Sequence, residues 1–455
     1  MIAIPASEQI TSLDALSKQN FSGALSAFYR AAVETKLPVA LWRAPNSAQK
    51  HALVAFAEKV SPLRIDFTHQ VPGFAFSPFV NEGGQGTLFI KADLHLSQQG
   101  HHFYNSLQRN GNGNQKTAYK QPEFLAAYQA LRQSDTLTST TLSTGTSTAF
   151  SINSPKTWPV GQSPIANKMP ADETARKQFC TLVSDAISYI QTTGIKKIVA
   201  SRVAETVLPP DFSPVAAFEA LCRRYPRAFV SLVSIPNVGT WIGASPEPLL
   251  RLQPHQLQTV ALAGTQAFNP DKPLNETVWG DKELEEQALV SDYIREFFQQ
   301  LELRQFTEDG PHTVSAGNVV HLQTDFKVEM ESPRLLALAN QVLHSLHPTS
   351  AVCGMPKQEA LSFILEKESY NRAFYSGFLG PLHLQDQSNL FVNLRCMQLQ
   401  NTDALLYVGA GITQDSVPCA EWEETVLKSK TLLSVLENER IANGEFANDK
   451  TSNSG

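Results

Sequence analysis

No apolar run in this 455-residue chain approaches the roughly 20 residues that a membrane-spanning helix needs. No C-x-x-C pair occurs either. The five cysteines, Cys180, Cys222, Cys353, Cys396 and Cys419, are odd in number and scattered. That argues against a disulfide framework and against a zinc site, and most of them sit in apolar stretches as small core residues. A reducing compartment, the cytoplasm, is the expected location. The segment MIAIPASEQI lacks the charged head and continuous apolar stretch of a secretory leader. Basic stripes are missing too: 37 Lys and Arg stand against 43 Asp and Glu, a formal charge of -6. Neither nucleic acid nor a membrane is an expected partner. No repeat at a solenoid period is visible.

What the chain does have is an ordinary globular balance, 42% hydrophobic and 18% charged, with length enough for one large domain or two. Residues 1–133 mix strand-like pieces (LPVALWRA, GTLFIKADLHL) with a helix-like stretch around Ser47 to Val60. Gln98 to Lys120, rich in Asn and Gly, suggests a surface loop. Residues 134–169 are rich in Ser, Thr and Pro and suggest a linker or long loop. Residues 170–440 carry the dense signal. Helices are expected at Lys177 to Gln191, Pro214 to Tyr225, Asp281 to Leu301 and from Ala420 toward Leu436. Between them FVSLVSI, GTWIGAS, PLLRL and LQTVALAG form a run of short strands, and a strand is expected over Asn389 to Gln398. Residues 441–455 form a polar tail. Grouped rather than alternating elements predict an α+β fold with a large mixed or antiparallel sheet.

Chemistry is concentrated at a few positions. Glu283 and Glu286 lie three apart on one helix, and Glu421 and Glu424 repeat that spacing on another, with Lys428 one turn beyond. Carboxylates crowd at a cost unless a cation sits among them. Two such helices facing each other could hold Mg²⁺; taken singly, each pair also fits a solvated helix face. Lys197 opens the strand KIVASR, where alternation puts Lys197 and Val199 on one side and Ile198 and Ala200 on the other. A lysine turned into a closed pocket can act as a base; at a strand end it can equally keep its amine in water. Glu247 ends the turn G-A-S-P-E and can project into a cleft or into solvent. Arg395 is a charge inside the apolar stretch NLFVNLRCMQL, and its guanidinium needs an anion or several acceptors. Tyr375 in AFYSG could reach the same group, and His321 in VVHLQTD suits a hydrogen-bonded core position as well as a ligand contact.

Taken in order, KIVASR, GASPE, LAGT, DKELEEQALV, HLQT, LHPTSAVCGMPK, NRAFYSGFLG, NLR and GAGITQDSVPCAEWEETVLK resemble the chorismate-utilising enzyme family. Any one motif is weak; their shared order across about residues 170–436 is what carries the resemblance. It implies one large α+β domain with antiparallel sheets packed face to face and helices outside. Carried over position by position, it implies Glu286 and Glu424 as direct Mg²⁺ ligands, with Glu283 and Glu421 supporting through water. Gly264, Thr265 and Lys428 would meet the ring carboxylate. Tyr375, Arg395 and Gly411 would meet the enolpyruvyl carboxylate. His321 and Ala351 would line the same pocket. Lys197 would be the base that activates water, and Glu247 the acid that protonates the departing hydroxyl.

Lys197 is also where this chain is similar to the water-adding branch, the isochorismate synthases, whose reaction is a Mg²⁺-dependent, reversible isomerisation of chorismate. Where the aminodeoxychorismate branch has a lysine, this chain has Ala263. The A-V-C-G stretch at Ala351 departs from the salicylate-forming branch, which is the nearest rival; a non-catalytic homologue would have lost Lys197, Glu247 or a metal glutamate. Gln287 stands where many relatives have histidine. The resemblance leads us to expect a monomer that takes chorismate as its small-molecule substrate. It does not say whether the product serves menaquinone, siderophore or salicylate synthesis.

Overall fold

The computed structural model describes residues 20–442, apart from 58, 82–85, 105–116, 142–157, 161–171, 270–271, 317–318 and 332. In chain order the first strands and helices are α1 (Phe21–Glu34), β1 (Val39–Arg43), β2 (Lys50–Val54), β3 (Pro62–Leu63), β4 (Gly73–Ser77), β5 (Thr87–Lys91), β6 (Leu94–Ser97), β7 (Gly100–Phe103), α2 (Thr117–Thr141) and α3 (Asp172–Thr193). The middle of the chain adds β8 (Lys197–Val207), α4 (Pro214–Arg224), β9 (Phe229–Ile235), β10 (Gly239–Ser245), β11 (Pro248–Gln253), β12 (Gln256–Ala267), α5 (Asp281–Gln300), β13 (Thr307–Ala316) and β14 (Val319–Glu329). The last part supplies α6 (Arg334–Leu346), β15 (Gly354–Met355), α7 (Lys357–Lys367), β16 (Phe378–Leu382), β17 (Ser388–Val392), β18 (Cys396–Leu399), β19 (Asp403–Ile412) and α8 (Pro418–Ala442).

The strands form two antiparallel sheets. One runs β15-β8-β19-β18-β10-β9-β1-β2-β6-β7, the other β13-β14-β12-β11-β17-β16-β4-β5-β3. They pack face to face through a dry layer to which both contribute: Ala40, Trp42 and Trp241 from the first sheet meet Phe74, Phe76 and Phe391 from the second. The rings of Phe229 and Phe391 stack across it at 4.1 Å. Helices cover the outer faces. α1, α2 and α4 pack on the first sheet through Phe28, Phe124 and Phe218, and α5 and α6 on the second through Ile294, Phe298 and Val342. α3 and α7 close the end of the first sheet around Phe179, Ile198 and Phe363. This is the α+β architecture expected from the sequence, with antiparallel sheets face to face and helices outside.

Local chemistry sets the helix starts. Ser213 accepts the Ala216 amide and Pro214 follows at the first helical position of α4. In α5 the Glu283 carboxylate reaches back to the Gly280 amide at 3.0 Å. Three expectations change. The stretch from Ser47 to Val60 holds strand β2, not a helix: KHALV is too short for helical periodicity, and its pairing with β1 and β6 decides. Asn389 to Gln398 is two strands, broken at Arg395, whose φ of +48° ends one ladder before the next begins. Part of the expected loop Gln98 to Lys120 is strand β7 and the start of α2; its residues 105–116 lie outside those described. Helix α2 also runs to Thr141, eight residues into the Ser/Thr/Pro-rich stretch.

Candidate active site

Strands of both sheets meet residues of α5 and α8 around one cavity. Its volume is about 90 Å³, and β8, β12, β14 and β19 wall it. Alternation along β8 turns Lys197 and Val199 into it and Ile198 and Ala200 into the apolar layer under α3 and α7. The partner strand β19 offers Gly409 and Gly411. A Cβ on Gly411 would lie 3.0 Å from Glu286 Oε1 and 3.0 Å from Lys197 Cε, so a side chain there would crowd the two groups where they meet.

Opposite them, the β12–β14 pairing slips between Ala263 and Gln266. The bulge carries Gly264, at φ +68°, and Thr265. It aims the Gly264 amide at Glu286 Oε2, 3.2 Å away, and the Gly264 carbonyl at His321 Nδ1, 2.8 Å away. A carbonyl only accepts, so Nδ1 carries the imidazole proton. Burial drives the His321 pKa down to about 3, which keeps the ring neutral. Its Nε2 is then a bare acceptor, buried and without a partner among the described residues.

Three cations and three carboxylates line the cavity: Lys197, Arg395 and Lys428 with Glu247, Glu286 and Glu424. Lys197 Nζ lies 2.6 Å from Glu286 Oε1, and Lys428 Nζ 2.5 Å from Glu424 Oε1 and 2.8 Å from the Gly409 carbonyl. Burial raises the pKa of Glu286, but Lys197, Lys428 and the Gly264 amide outweigh it and the net shift is downward. Glu247 has weaker compensation. Burial lifts it to about 7 against the pull of Lys197 and a long hydrogen bond from Thr349 (3.4 Å). Tyr375 is a buried phenol pushed up to about 12 by desolvation, stacked on Tyr407 at 5.5 Å. Arg395 is 8% exposed, yet among the described residues its guanidinium donates only through 3.5 Å contacts to the Lys428 carbonyl and the Thr431 hydroxyl. Its non-glycine positive φ costs on the order of 1–3 kcal/mol and projects the guanidinium into the cavity.

The structure therefore gathers Lys197, Glu247, Gly264, Thr265, Glu286, His321, Ala351, Tyr375, Arg395, Gly411, Glu424 and Lys428 around one cavity. Glu283 and Glu421 stand apart from its walls. Glu283 is turned back to its own helix start, and Glu421, with its side chain 2% exposed, pairs with Lys282 at 3.2 Å. Burial and then the neighbouring Glu424 raise the Glu421 pKa. Lys282 is a participant that glutamate spacing alone did not bring out. Burial works against its charge, but Glu421, Glu424 and Glu286 together hold its pKa up. Its signal in the sequence is its place four residues before Glu286, on the same helix face. A second such pair is Glu368 with Arg372, 2.6 Å apart and nearly inaccessible, which ties down the Val199 and Val352 carbonyls beneath the cavity. The Gln287 amide joins α5 to the Ala261 carbonyl and the Thr324 hydroxyl.

Among the described residues no three acidic or histidine side chains converge as a ready-made metal cage. Mg²⁺ does not need one, because it is held by one or two carboxylates and keeps waters or substrate oxygens. Glu286 and Glu424 face one cavity from two helices, and three lysines stand among Glu286, Glu421 and Glu424. Two carboxylates on one cavity are a donor set that a hard divalent ion takes, and it would compete for them with the lysines they already meet.

Comparison with known proteins places the chain in a family. A family described as "Chorismate binding enzyme" matches residues 116–437. The vibriobactin-specific isochorismate synthase of Vibrio cholerae is 28% identical over 304 residues, 64% of this chain and 76% of that protein. Isochorismate synthase EntC of Escherichia coli is 29% identical over 262 residues, 56% of this chain and 66% of that protein, just under two thirds of its length. The solved structure of MenF, the menaquinone-specific isochorismate synthase of Escherichia coli, has the same fold, with a TM-score of 0.64 at 21% identity over 90% of this chain and 91% of that one. The chain belongs to the chorismate binding enzyme family.

Proposed function

We propose that this protein is a Mg²⁺-dependent isochorismate synthase that adds water at C2 of chorismate and expels the C4 hydroxyl, reversibly. The observation that carries the reading is one cavity holding both a nearly inaccessible lysine and a carboxyl lifted to about 7, beside glutamates from two helices. Lys197 takes the proton of the attacking water. Glu247, half protonated near neutrality, gives its proton to the departing hydroxyl. Arg395 and the Tyr375 hydroxyl hold one substrate carboxylate, and Lys428 with the Gly264–Thr265 bulge orients the other. His321 Nε2 accepts a substrate O–H, since no group among the described residues donates to it. Bound to Glu286 and Glu424, a Mg²⁺ ion would supply Lewis-acid polarisation of the ring carboxylate.

Charge counting supports the metal. With Glu247 protonated, the walls carry three positive and two negative groups. A dianionic substrate would then leave the site net negative, and a divalent cation reverses that sign. Ala351 lies in the cavity wall within A-V-C-G, which favours release of isochorismate over further elimination. The test is incubation with chorismate and Mg²⁺ and identification of the product by NMR. Isochorismate is expected, with loss of turnover in EDTA and recovery on adding Mg²⁺. Stoichiometric salicylate and pyruvate would instead make this a salicylate-forming enzyme, and full turnover after exhaustive chelation would remove the metal from the reading.

A further inference from the structure

A second cavity, about 300 Å³, adjoins the first. The two share Pro246, Leu262, His321 and Arg395 as walls. From there the larger one runs outward past buried Tyr225 to exposed Arg227 and Asn46. It is thus a passage from the surface to the Arg395 guanidinium. Three guanidiniums are spaced along it: Arg227 at the mouth, Arg251 on the wall and Arg395 at the inner end.

Arg251 is the informative one. It is partly buried on β11, and its guanidinium makes no hydrogen bond among the described residues; it lies 5.9 Å from the Phe391 ring and feels the charge of Asp325. Asp325, the acidic group in the wall, is already engaged. It accepts from Gln258 at 2.7 Å and from Gln323 at 3.1 and 3.2 Å, and His312 stands 3.6 Å away. Arg227 donates to the Ser315 hydroxyl on β13. A partly buried guanidinium without a protein acceptor has donors to offer, and a carboxylate can take them bidentately. A chain of formal charge -6 has placed three guanidiniums along the route to its candidate site.

We propose that this cavity is a docking subsite for the carboxylate of a small organic acid, through which the substrate of the adjoining site reaches Arg395. For chorismate as that substrate the inference rests on the function proposed above. Arg251 holds the carboxylate in passage and takes no part in the chemistry. Its loss should therefore slow capture and leave turnover intact.

The experiment is steady-state kinetics of the full chain with chorismate and Mg²⁺ at low and high ionic strength, for wild type, Arg251→Gln and Arg251→Lys. Arg251→Gln should lower kcat/KM on the order of 3–10-fold at low salt, keep kcat within about twofold, and show a shallower salt dependence. Arg251→Lys should recover most of the loss. Unchanged kcat/KM and salt dependence, or a fall in kcat at constant KM, would overturn the subsite. Should Arg251→Gln not fold, Val314→Trp fills the cavity from its outer wall and must raise KM in the same way. Crystals soaked in 4-bromobenzoate separate this inference from the proposed function. A bromine signal between Arg251 and Arg395, lost in Arg251→Gln or in Val314→Trp, supports the subsite even if chorismate is not turned over. No signal there in wild type overturns it even if chorismate is.

Discussion

Glu247 is 5% exposed, and burial lifts its carboxyl from 4.5 to about 7. Two consequences follow from one shift. As an acid, Glu247 is competent only while protonated, so kcat should fall as pH rises through 7. For stability, the native state holds a proton that the unfolded chain gives up near 4.5. Stability is therefore full below 4.5, declines as pH rises to about 7, and is flat above. Glu247→Gln removes the titration and should gain stability relative to wild type over that window, on the order of 3 kcal/mol above pH 7, while losing about 10²–10⁴-fold in kcat. Urea unfolding at pH 4, 6 and 8 together with turnover checks both; a variant less stable at pH 8 than wild type would show that the carboxylate is compensated after all. Lys197→Ala should lose a similar factor in kcat and still bind chorismate in a calorimetric titration, because Arg395 and Lys428 remain. At this scale the sequence shows Lys197 through strand alternation and the glutamates through helical spacing. It does not show Lys282 meeting Glu421, because 139 residues separate them and only packing brings them to 3.2 Å.

Helix α5 and strand β12 illustrate what lies between residue and fold. The bulge at Gly264–Thr265 and the start of α5 are coupled: Gly264 donates to Glu286, and a Cβ at Gly264 would stand 3.1 Å from Glu283 Cβ. Most strands were legible because alternating apolar runs were separated by turn residues, and β8 falls on Lys197–Val207 as expected. Legibility failed at β2, where five residues carry too little pattern, and at Arg395, where a positive φ breaks an otherwise continuous apolar run. The Glu368–Arg372 pair was not read from the sequence. In the structure Arg372 also binds the carbonyls of Val199 and Val352, so it fixes β8 against the Ala351 loop. Arg372→Met should leave Glu368 charged and buried and cost about 3–5 kcal/mol. Adding Glu368→Gln should return part of that cost. Chemical denaturation of the single and double variants measures it, and strictly additive losses would mean that the two side chains do not act as a pair.

The family match begins at residue 116, and the resemblance in the motifs begins near 170, yet the sheets begin much earlier. β1, β2, β6 and β7 form one side of the first sheet, and β4, β5 and β3 one side of the second. In the layer between the sheets, Trp42, Leu53, Phe74, Phe76 and Ile90 are each 3% exposed or less. Burying a large apolar side chain is worth about 1.5–3 kcal/mol, so these five contribute roughly 8–15 kcal/mol. That equals the whole net stability of an ordinary domain, about 5–15 kcal/mol. Removing residues 1–171 would also strip β9 and β16 of partners and leave two hydrophobic edge strands open. The motifs were visible because chemistry restricts residue choice at the site. The first hundred residues are held only to being apolar at the right period, which many sequences satisfy. A chain comprising 172–442 should accordingly fail to fold: its circular dichroism should show no cooperative thermal transition, it should aggregate, and it should not turn over chorismate, whereas the full chain should unfold in a single transition. A cooperative melt and chorismate turnover by 172–442 alone would show that the motif-bearing region is a domain in itself and that the early strands are an addition to it.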